Sequence, residues 1–354
     1  MHSSSLTTSA PGKLFLFGEY GVLAGGWSIV AAADRRVLAH RQAEASGYEV
    51  VGAQMDDAGV LPREVLAELD AHGHSQYQLA QLSADVRSVF DDVTGEKLGL
   101  GSSAASTVAL TAACMLDSSD EPIDERIAPK TRAAIFEHAF RAHRSLQGGR
   151  GSGADIASST FGGVIAYRLV EPVAPFSACE VPQDIAADVT TDDAQVSSAL
   201  SFPDDLRIEA LWLESPARST SFVRCCEEAL QEAPSPTQRA LCRTSAIAEE
   251  ALEAFARGRT AEIVELAATA DEALTKLGEQ IGAPIVIDAH RALRKPARAA
   301  SIAVKPSGAG GGDFSLAFGP VDAAWESFLQ NLPPGVRHIP LELGAQGVRR
   351  EPRR

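Results

Sequence analysis

Gly99-Leu100-Gly101-Ser102-Ser103-Ala104-Ala105-Ser106-Thr107 restricts this chain more than any other stretch. Two glycines one residue apart let the backbone turn and come close to a ligand. An apolar helical pattern, Val108 to Leu116, follows at once. The hydroxyls of Ser102 and Ser103 then stand where a helix begins, and the free N–H groups there favour an anion. A nucleotide's phosphates suit such a place. An ordinary capped helix after a glycine turn accounts for the segment equally well. Two more glycine-rich segments, far off in sequence, bear on the choice. One is Gln147-Gly148-Gly149-Arg150-Gly151-Ser152-Gly153-Ala154-Asp155, the other Lys305-Pro306-Ser307-Gly308-Ala309-Gly310-Gly311-Gly312-Asp313.

The chain has 354 residues, enough for a large core and two domains. Its 45% hydrophobic content and 22% charged residues are those of a globular protein. A net charge of −15 argues against a nucleic-acid partner. It also requires that an anionic substrate meet a local cluster of Lys and Arg. Met1 to Ala10 is rich in Ser and Thr and has no apolar signal-peptide core. No apolar run is long enough for a bilayer, so a cytoplasmic protein without a membrane partner is expected. Cys114, Cys179, Cys225, Cys226 and Cys242 show no CxxC spacing, and buried or free thiols are expected rather than disulfides or zinc.

Leu14 to Phe17, Ser28 to Ala33, Val37 to Gln42 and Tyr48 to Ala53 read as strands. Strands in a row without an intervening helix argue against a Rossmann or Walker-type βαβ start. Pro62 to Leu69 and Gln76 to Phe90 read as helices, with part-strand character left open for Val86 to Val93. Helices are expected over Thr107 to Leu116 and Lys130 to Ser145, then a strand over Gly162 to Leu169. The pattern loosens from Val170 to Pro203, where the domain boundary is placed, giving domains 1–195 and 196–354. The second half offers a strand, Leu206 to Leu213, and helices over Phe222 to Gln231, Thr237 to Arg257 and Ala261 to Ile281. Strands Ser301 to Val304, Phe314 to Phe318 and Val336 to Leu341, with a helix over Asp322 to Leu329, complete it. The basic tail Arg349 to Arg354 is expected to fray.

Together the glycine segments resemble the galactokinase–homoserine kinase–mevalonate kinase–phosphomevalonate kinase (GHMP) superfamily. Pro11-Gly12-Lys13 through Gly18-Glu19-Tyr20 resembles its first motif, Gly99 to Ala104 its phosphate loop, and Ser307 to Gly312 its third motif. The likeness covers nearly the whole chain. Lys97 ahead of the phosphate loop, the Lys305-Pro306-Ser307 start and Asp313 end of the third motif, Ala142-His143, and Gly151-Ser152-Gly153-x-Asp155 are similar to the phosphomevalonate kinase branch. Trp212 with Ala217-Arg218-Ser219-Thr220 follows that branch less closely.

The resemblance implies an α+β fold of two domains: an N-terminal one like ribosomal protein S5 domain 2 and a ferredoxin-like C-terminal one. It implies an active site in the cleft between them and phosphoryl transfer from ATP, with Mg2+, to the phosphate of 5-phosphomevalonate. Lys13 and Asp155 are the implied catalytic residues. Lys97, Gly99, Leu100, Gly101, Ser102, Ser103, Ala104 and Ser106 would bind ATP, and Ser103 would offer its hydroxyl to the metal. Lys13, Glu19, Tyr20, Gln147, Arg150, Ser152, Gly153, Arg218, Ser219, Gly308, Ala309 and Gly310 would meet the acceptor. Charge gives the assignment a physical sense, since a phosphorylated acceptor needs extra cations, for which Lys97, Arg150, Arg218 and Lys305 are candidates. Plainer roles exist: a solvated flank for Lys13, and for Asp155 a carboxylate complementing a helix dipole. One departure stands out: His143 occupies the place of a metal-binding glutamate of mevalonate kinases. His138 reads as a helix-face residue. The partners expected are small molecules, with a monomer or homodimer. The rival readings are mevalonate kinase or another small-molecule GHMP kinase, diphosphomevalonate decarboxylase, and a non-catalytic binding member.

Overall fold

The computed structural model describes residues 5–42, 47–51, 60–74, 81–116, 127–179, 186–214 and 219–352. Its contacts divide the chain into two units, each woven from separate stretches. Unit 1 is Met1–Lys13, Ala31–Gly163 and Glu342–Arg354; unit 2 is Leu14–Val30 and Val164–Leu341. The sequence reading places a single boundary instead, at 195/196.

Two long strands supply residues to both units. β1 (Leu6–Phe17) is buried on both faces, as suits a strand inside a sheet. β2 (Ser28–Gln42) runs unbroken where the sequence suggests two strands. The polar step Asp34-Arg35-Arg36 does not end it, because Arg36 is held within unit 1. Its Nε donates to Ser9 Oγ at 2.7 Å, and its Nη2 to the Gly347 carbonyl at 2.8 Å.

In unit 1, β2 pairs antiparallel with β4 (Gln81–Asp85), and β4 pairs parallel with β3 (Gly47–Val51). The helix expected over Gln76 to Phe90 is therefore corrected. Residues 76–80 lie outside the described residues; the rest is β4 and a 3-10 turn, Arg87–Val89. Leu82 and Ala84 alternate inward with a period of two, and partners on both sides override the helical pattern. The tail expected to fray forms β12 (Arg349–Arg350), paired with Thr8 and Ser9 of β1. Among the described residues the α-helices of unit 1 are α1 (Val60–Ala71), α2 (Ser102–Met115), α3 (Pro129–Leu146) and α4 (Ala154–Phe161). α2 packs against the other three and is buried nearly all round, so it needs no polar face. Its threonines satisfy themselves: Thr107 donates to the Ser103 carbonyl at 2.9 Å and Thr111 to that of Thr107 at 2.8 Å.

Unit 2 holds β5 (Val164–Leu169), β6 (Val189–Thr190) and β7 (Ala194–Leu200), with β7 pairing antiparallel to both others. β7 lies in the stretch that reads as irregular in the sequence. A second sheet has the order β11-β8-β10-β9, all antiparallel: Arg337–Ile339, Leu206–Trp212, Phe314–Pro320 and Ala303–Pro306. Numbered within that sheet the order is 4-1-3-2, the ferredoxin-like arrangement. Helices α5 (Ser219–Glu232), α6 (Pro234–Ala256), α7 (Thr260–Ile281) and α8 (Asp288–Ala299) fall between β8 and β9, and α9 (Trp325–Gln330) between β10 and β11. Leu211, Leu293, Val304, Ala317, Trp325 and Phe328 share one core there. Among the described residues no helix is long and apolar enough to cross a membrane.

The expectation for the cysteines is also corrected. Cys179 and Cys242, separated by 63 positions, are joined by a disulfide, while Cys114, Cys225 and Cys226 are free. Short-range spacing carries no trace of such a pair.

α8, which the sequence reading does not include, buries His290, Leu293 and Ala297, residues at helical spacing. His290 Nδ1 accepts the Ile287 N–H at 3.3 Å, just ahead of the helix. Burial, then the charges of Arg294 and Lys305, push its pKa down to about 3. The folded state thus holds His290 neutral, whereas the unfolded chain protonates it near its ordinary value of about 6.5. The unfolded state binds the extra proton, so stability falls as pH drops below about 6.5. Between pH 7 and pH 5 this one group costs about 2 kcal/mol. Urea unfolding at both pH values checks it, and His290→Asn is expected to remove that part of the difference.

Candidate active site

The phosphate-loop segment lies in unit 1. Leu98 and Leu100 plug into the core, and Gly99 (φ 82°) between them and Gly101 (φ 76°) after them take left-handed turns. Gly101 is the N-cap of α2, with no side chain capping the first turn. The first intrahelical bond runs from Ala105 N–H to the Gly101 carbonyl at 3.0 Å, so the amides of Ser102, Ser103 and Ala104 precede the helical ladder. Ser102, Ala104 and Ser106 are buried, and Ser103 is exposed. Lys97 is exposed just upstream, where it bridges to Phe90.

Strand β1 packs directly on this loop. Lys13 N–H donates to the Leu100 carbonyl at 2.9 Å. A Cβ at Gly12 would stand only 2.9 Å from that oxygen, so Gly12 is required by the close approach. The Lys13 stem crosses Gly101, its Cε 3.2 Å from where a Cβ would sit. α4 is tied to the same strand: Ser159 Oγ donates to the Pro11 carbonyl at 2.8 Å. The loop, Lys13 and the helix bearing Asp155 are thereby assembled within one unit.

Asp155 stands in the first turn of α4, after Gly153 as a left-handed N-cap (φ 74°). Its Oδ1 accepts the Ile156 N–H at 2.9 Å. Ser152 Oγ faces the Ala154 N–H at 3.4 Å. Gln147 closes α3, and its Oε1 lies 1.7 Å from where a Cβ on Gly151 would be, so only glycine fits beneath the amide. Arg150 is exposed, and His143 is buried.

The third motif lies in unit 2, between β9 and β10. Gly308, Gly310 and Gly311 have φ of 79°, 72° and 74°. A Cβ at Gly310 would meet the Ile285 carbonyl at 2.4 Å, and one at Gly311 the Phe222 ring at 2.5 Å. Glu19 and Tyr20 belong here. The Tyr20 hydroxyl donates to the Ala309 carbonyl, and Ser307 Oγ to the Phe15 carbonyl at 3.0 Å. Burial raises the Tyr20 pKa well above its ordinary value, which keeps the phenol protonated as a donor. Lys305 is wholly buried, forms an ion pair with Glu19, and donates to the Pro306 carbonyl at 2.6 Å. Its charge, which the sequence suggests for a substrate phosphate, is committed to Glu19. Arg218 lies outside the described residues. Ser219 opens α5, and Gly308 and Ala309 form the turn after β9.

The first motif thus divides. Pro11 to Lys13 serves the phosphate loop, and Glu19-Tyr20 serves the third motif. The Glu19–Lys305 pair and the supports at Ile285 and Phe222 leave no mark on local sequence.

No family model matches the chain. A phosphomevalonate kinase of Streptomyces sp. (strain CL190) is 29% identical over 97% of this chain and 98% of its own length. A phosphomevalonate kinase of Saccharolobus solfataricus is 31% identical over 47% of this chain and 50% of its own length. Streptococcus pneumoniae phosphomevalonate kinase, solved in complex with phosphomevalonate and AMPPNP, superposes with a TM-score of 0.72 at 20% identity, covering 96% of this chain and 99% of that one. At that identity the match speaks for the fold alone.

The Glu19–Lys305 pair generates a test. Lys305→Met leaves a buried carboxylate without its counter-charge and is expected to cost about 3–5 kcal/mol in denaturant unfolding. Adding Glu19→Gln is expected to restore most of that loss.

Proposed function

We propose that this chain, a kinase of the GHMP fold most like phosphomevalonate kinase, transfers the γ-phosphoryl group of ATP to the phosphate of 5-phosphomevalonate, giving 5-diphosphomevalonate and ADP. The observation that carries the residue roles is Lys13 lying across Gly101, beside the uncapped first turn of α2.

Phosphoryl transfer depends on positioning and on stabilising charge. In this reading the amides of Ser102 to Ala104 and the turn at Gly99 to Gly101 hold the nucleotide phosphates. The Lys13 ammonium, set by the Leu100 hydrogen bond, lies at the transferred group and balances charge as the bond to the leaving oxygen lengthens. An oxygen of the acceptor phosphate forms the new bond to phosphorus, and ADP leaves. A phosphate monoester has its second pKa at about 6, so the nucleophile is already ionised near neutral pH. A strong base is unnecessary, and Asp155 serves to orient and balance charge. Its anchorage by the Ile156 N–H suits a fixed carboxylate. Lys97, Arg150, Ser152, Gly153 and Gln147 are the acceptor-side and phosphate-side candidates.

Mg2+ fits this donor set. Ser103 offers an exposed hydroxyl, a hard oxygen donor. His143 is a buried nitrogen donor and suits the ion less. Ser103 would hold the ion, which when bound neutralises charge between the nucleotide phosphates.

Coupled ADP release with mevalonate, 5-phosphomevalonate and galactose tests the acceptor. 5-Phosphomevalonate is expected to be the only efficient one; mevalonate or the sugar turning over instead would point to another kinase of the family, and release of CO2 to a decarboxylase. With the productive acceptor, Lys13→Met is expected to lower kcat by about 10²-fold or more. Asp155→Asn is expected to lower it less than tenfold, and a greater loss would make Asp155 an essential base. EDTA should stop turnover and added Mg2+ restore it.

A further inference from the structure

Away from these loops, unit 1 gathers a group of side chains that phosphoryl transfer does not use. Glu68 lies near the end of α1, and His72 and His74 just beyond it. His138 lies in the middle of α3 and is buried. Two of the chain's eight histidines, His72 and His138, therefore meet at one carboxylate, and His74 packs against the ring of His138.

The geometry is that of a ligand set. A donor atom from each of Glu68, His72 and His138 lies within 4.8 Å of the other two. Glu68 Oε1 is 3.1 Å from His138 Nδ1. Two ligands on one tetrahedral zinc, each at about 2.0–2.1 Å, stand about 3.4 Å apart. A small adjustment therefore admits an ion. His72 Nδ1 lies 3.1 Å from the same Glu68 Oε1 and 2.9 Å from the Glu68 carbonyl, so this nitrogen is the one that faces the carboxylate. The His74 ring packs edge-on against His138, with centroids 5.6 Å apart, and His72 does the same at 5.2 Å. Arg141 also reaches Glu68, but at 3.7 Å, and has Glu137 at 3.8 Å as a second partner. It can yield the carboxylate to a stronger cation. The His72 side chain is 44% exposed, so an ion can enter from solvent.

We propose that Glu68, His72 and His138 form a binding site for a divalent transition-metal ion of the zinc class. The ion ties the end of α1 to the middle of α3, and His74 or water takes the remaining position. Two imidazole nitrogens and one carboxylate select zinc or cobalt over the all-oxygen-seeking Mg2+. The site is separate in composition from Ser103 and Asp155 and does not depend on the kinase reading.

The test uses the full-length protein stripped with chelator. Titration with Zn2+ is followed by calorimetry, and with Co2+ by visible absorption. One equivalent of Zn2+ is expected to bind at micromolar or lower Kd, with a rise in Tm, and Co2+ should show the intense visible bands of a four-coordinate site. His72→Gln, an exposed change that leaves the core intact, and Glu68→Gln are each expected to weaken binding at least tenfold. His40→Gln, a histidine outside the group, should leave it unchanged. A thousandfold excess of Mg2+ should not displace the zinc. Absence of stoichiometric binding, or binding that survives His72→Gln and Glu68→Gln, overturns the proposal.

Discussion

At Gly12 the backbone of β1 comes so close to the Leu100 carbonyl that a single added carbon would stand 2.9 Å from it. This approach sets the rest of unit 1's candidate site. It allows the Lys13 N–H to reach that carbonyl and sends the lysine stem over Gly101. The peptide just before it accepts from Ser159 and so fixes α4. A loop rich in glycine would otherwise explore many conformations. Here its shape is imposed by a buried strand and by Leu98 and Leu100, anchored in the core on either side of Gly99.

The third motif is made rigid by different means. Its glycines lie against the Ile285 carbonyl and the Phe222 ring, and Tyr20 bonds to the carbonyl of Ala309. Tyr20 itself has φ 64°, a strained conformation for a residue with a side chain, held by the surrounding packing. Lys305 and Glu19, charged residues with almost no exposure, secure each other beneath this loop. Motif residues thus fall into two kinds. Some present groups to solvent, as Ser103 and Lys97 do, and others spend their chemistry on the shape of the loop.

The net charge of −15 makes the placement of cations informative. A protein with that field attracts phosphorylated molecules only where positive groups are concentrated. The Lys13 stem and the first-turn amides of α2 place positive groups close together. Lys305 does not add to them, since its charge is cancelled by Glu19.

What the sequence determined by itself were features whose signal is local. Glycines at 99 and 101, the hydroxyls after them, and the periodicity of α2, α3, α6 and α7 are readable because turn chemistry and helical spacing need only near neighbours. Ordered resemblance of three such segments carried the fold class and the expectation of a kinase activity. Only the tertiary structure decided that Gln81 to Asp85 is a strand, that Arg349–Arg350 pairs with β1, and that Cys179 meets Cys242. It alone matched Lys305 with Glu19, and His138 with Glu68. Each of these depends on residues brought together from distant parts of the chain. Burial and pairing are properties of the folded neighbourhood, which no window of sequence contains.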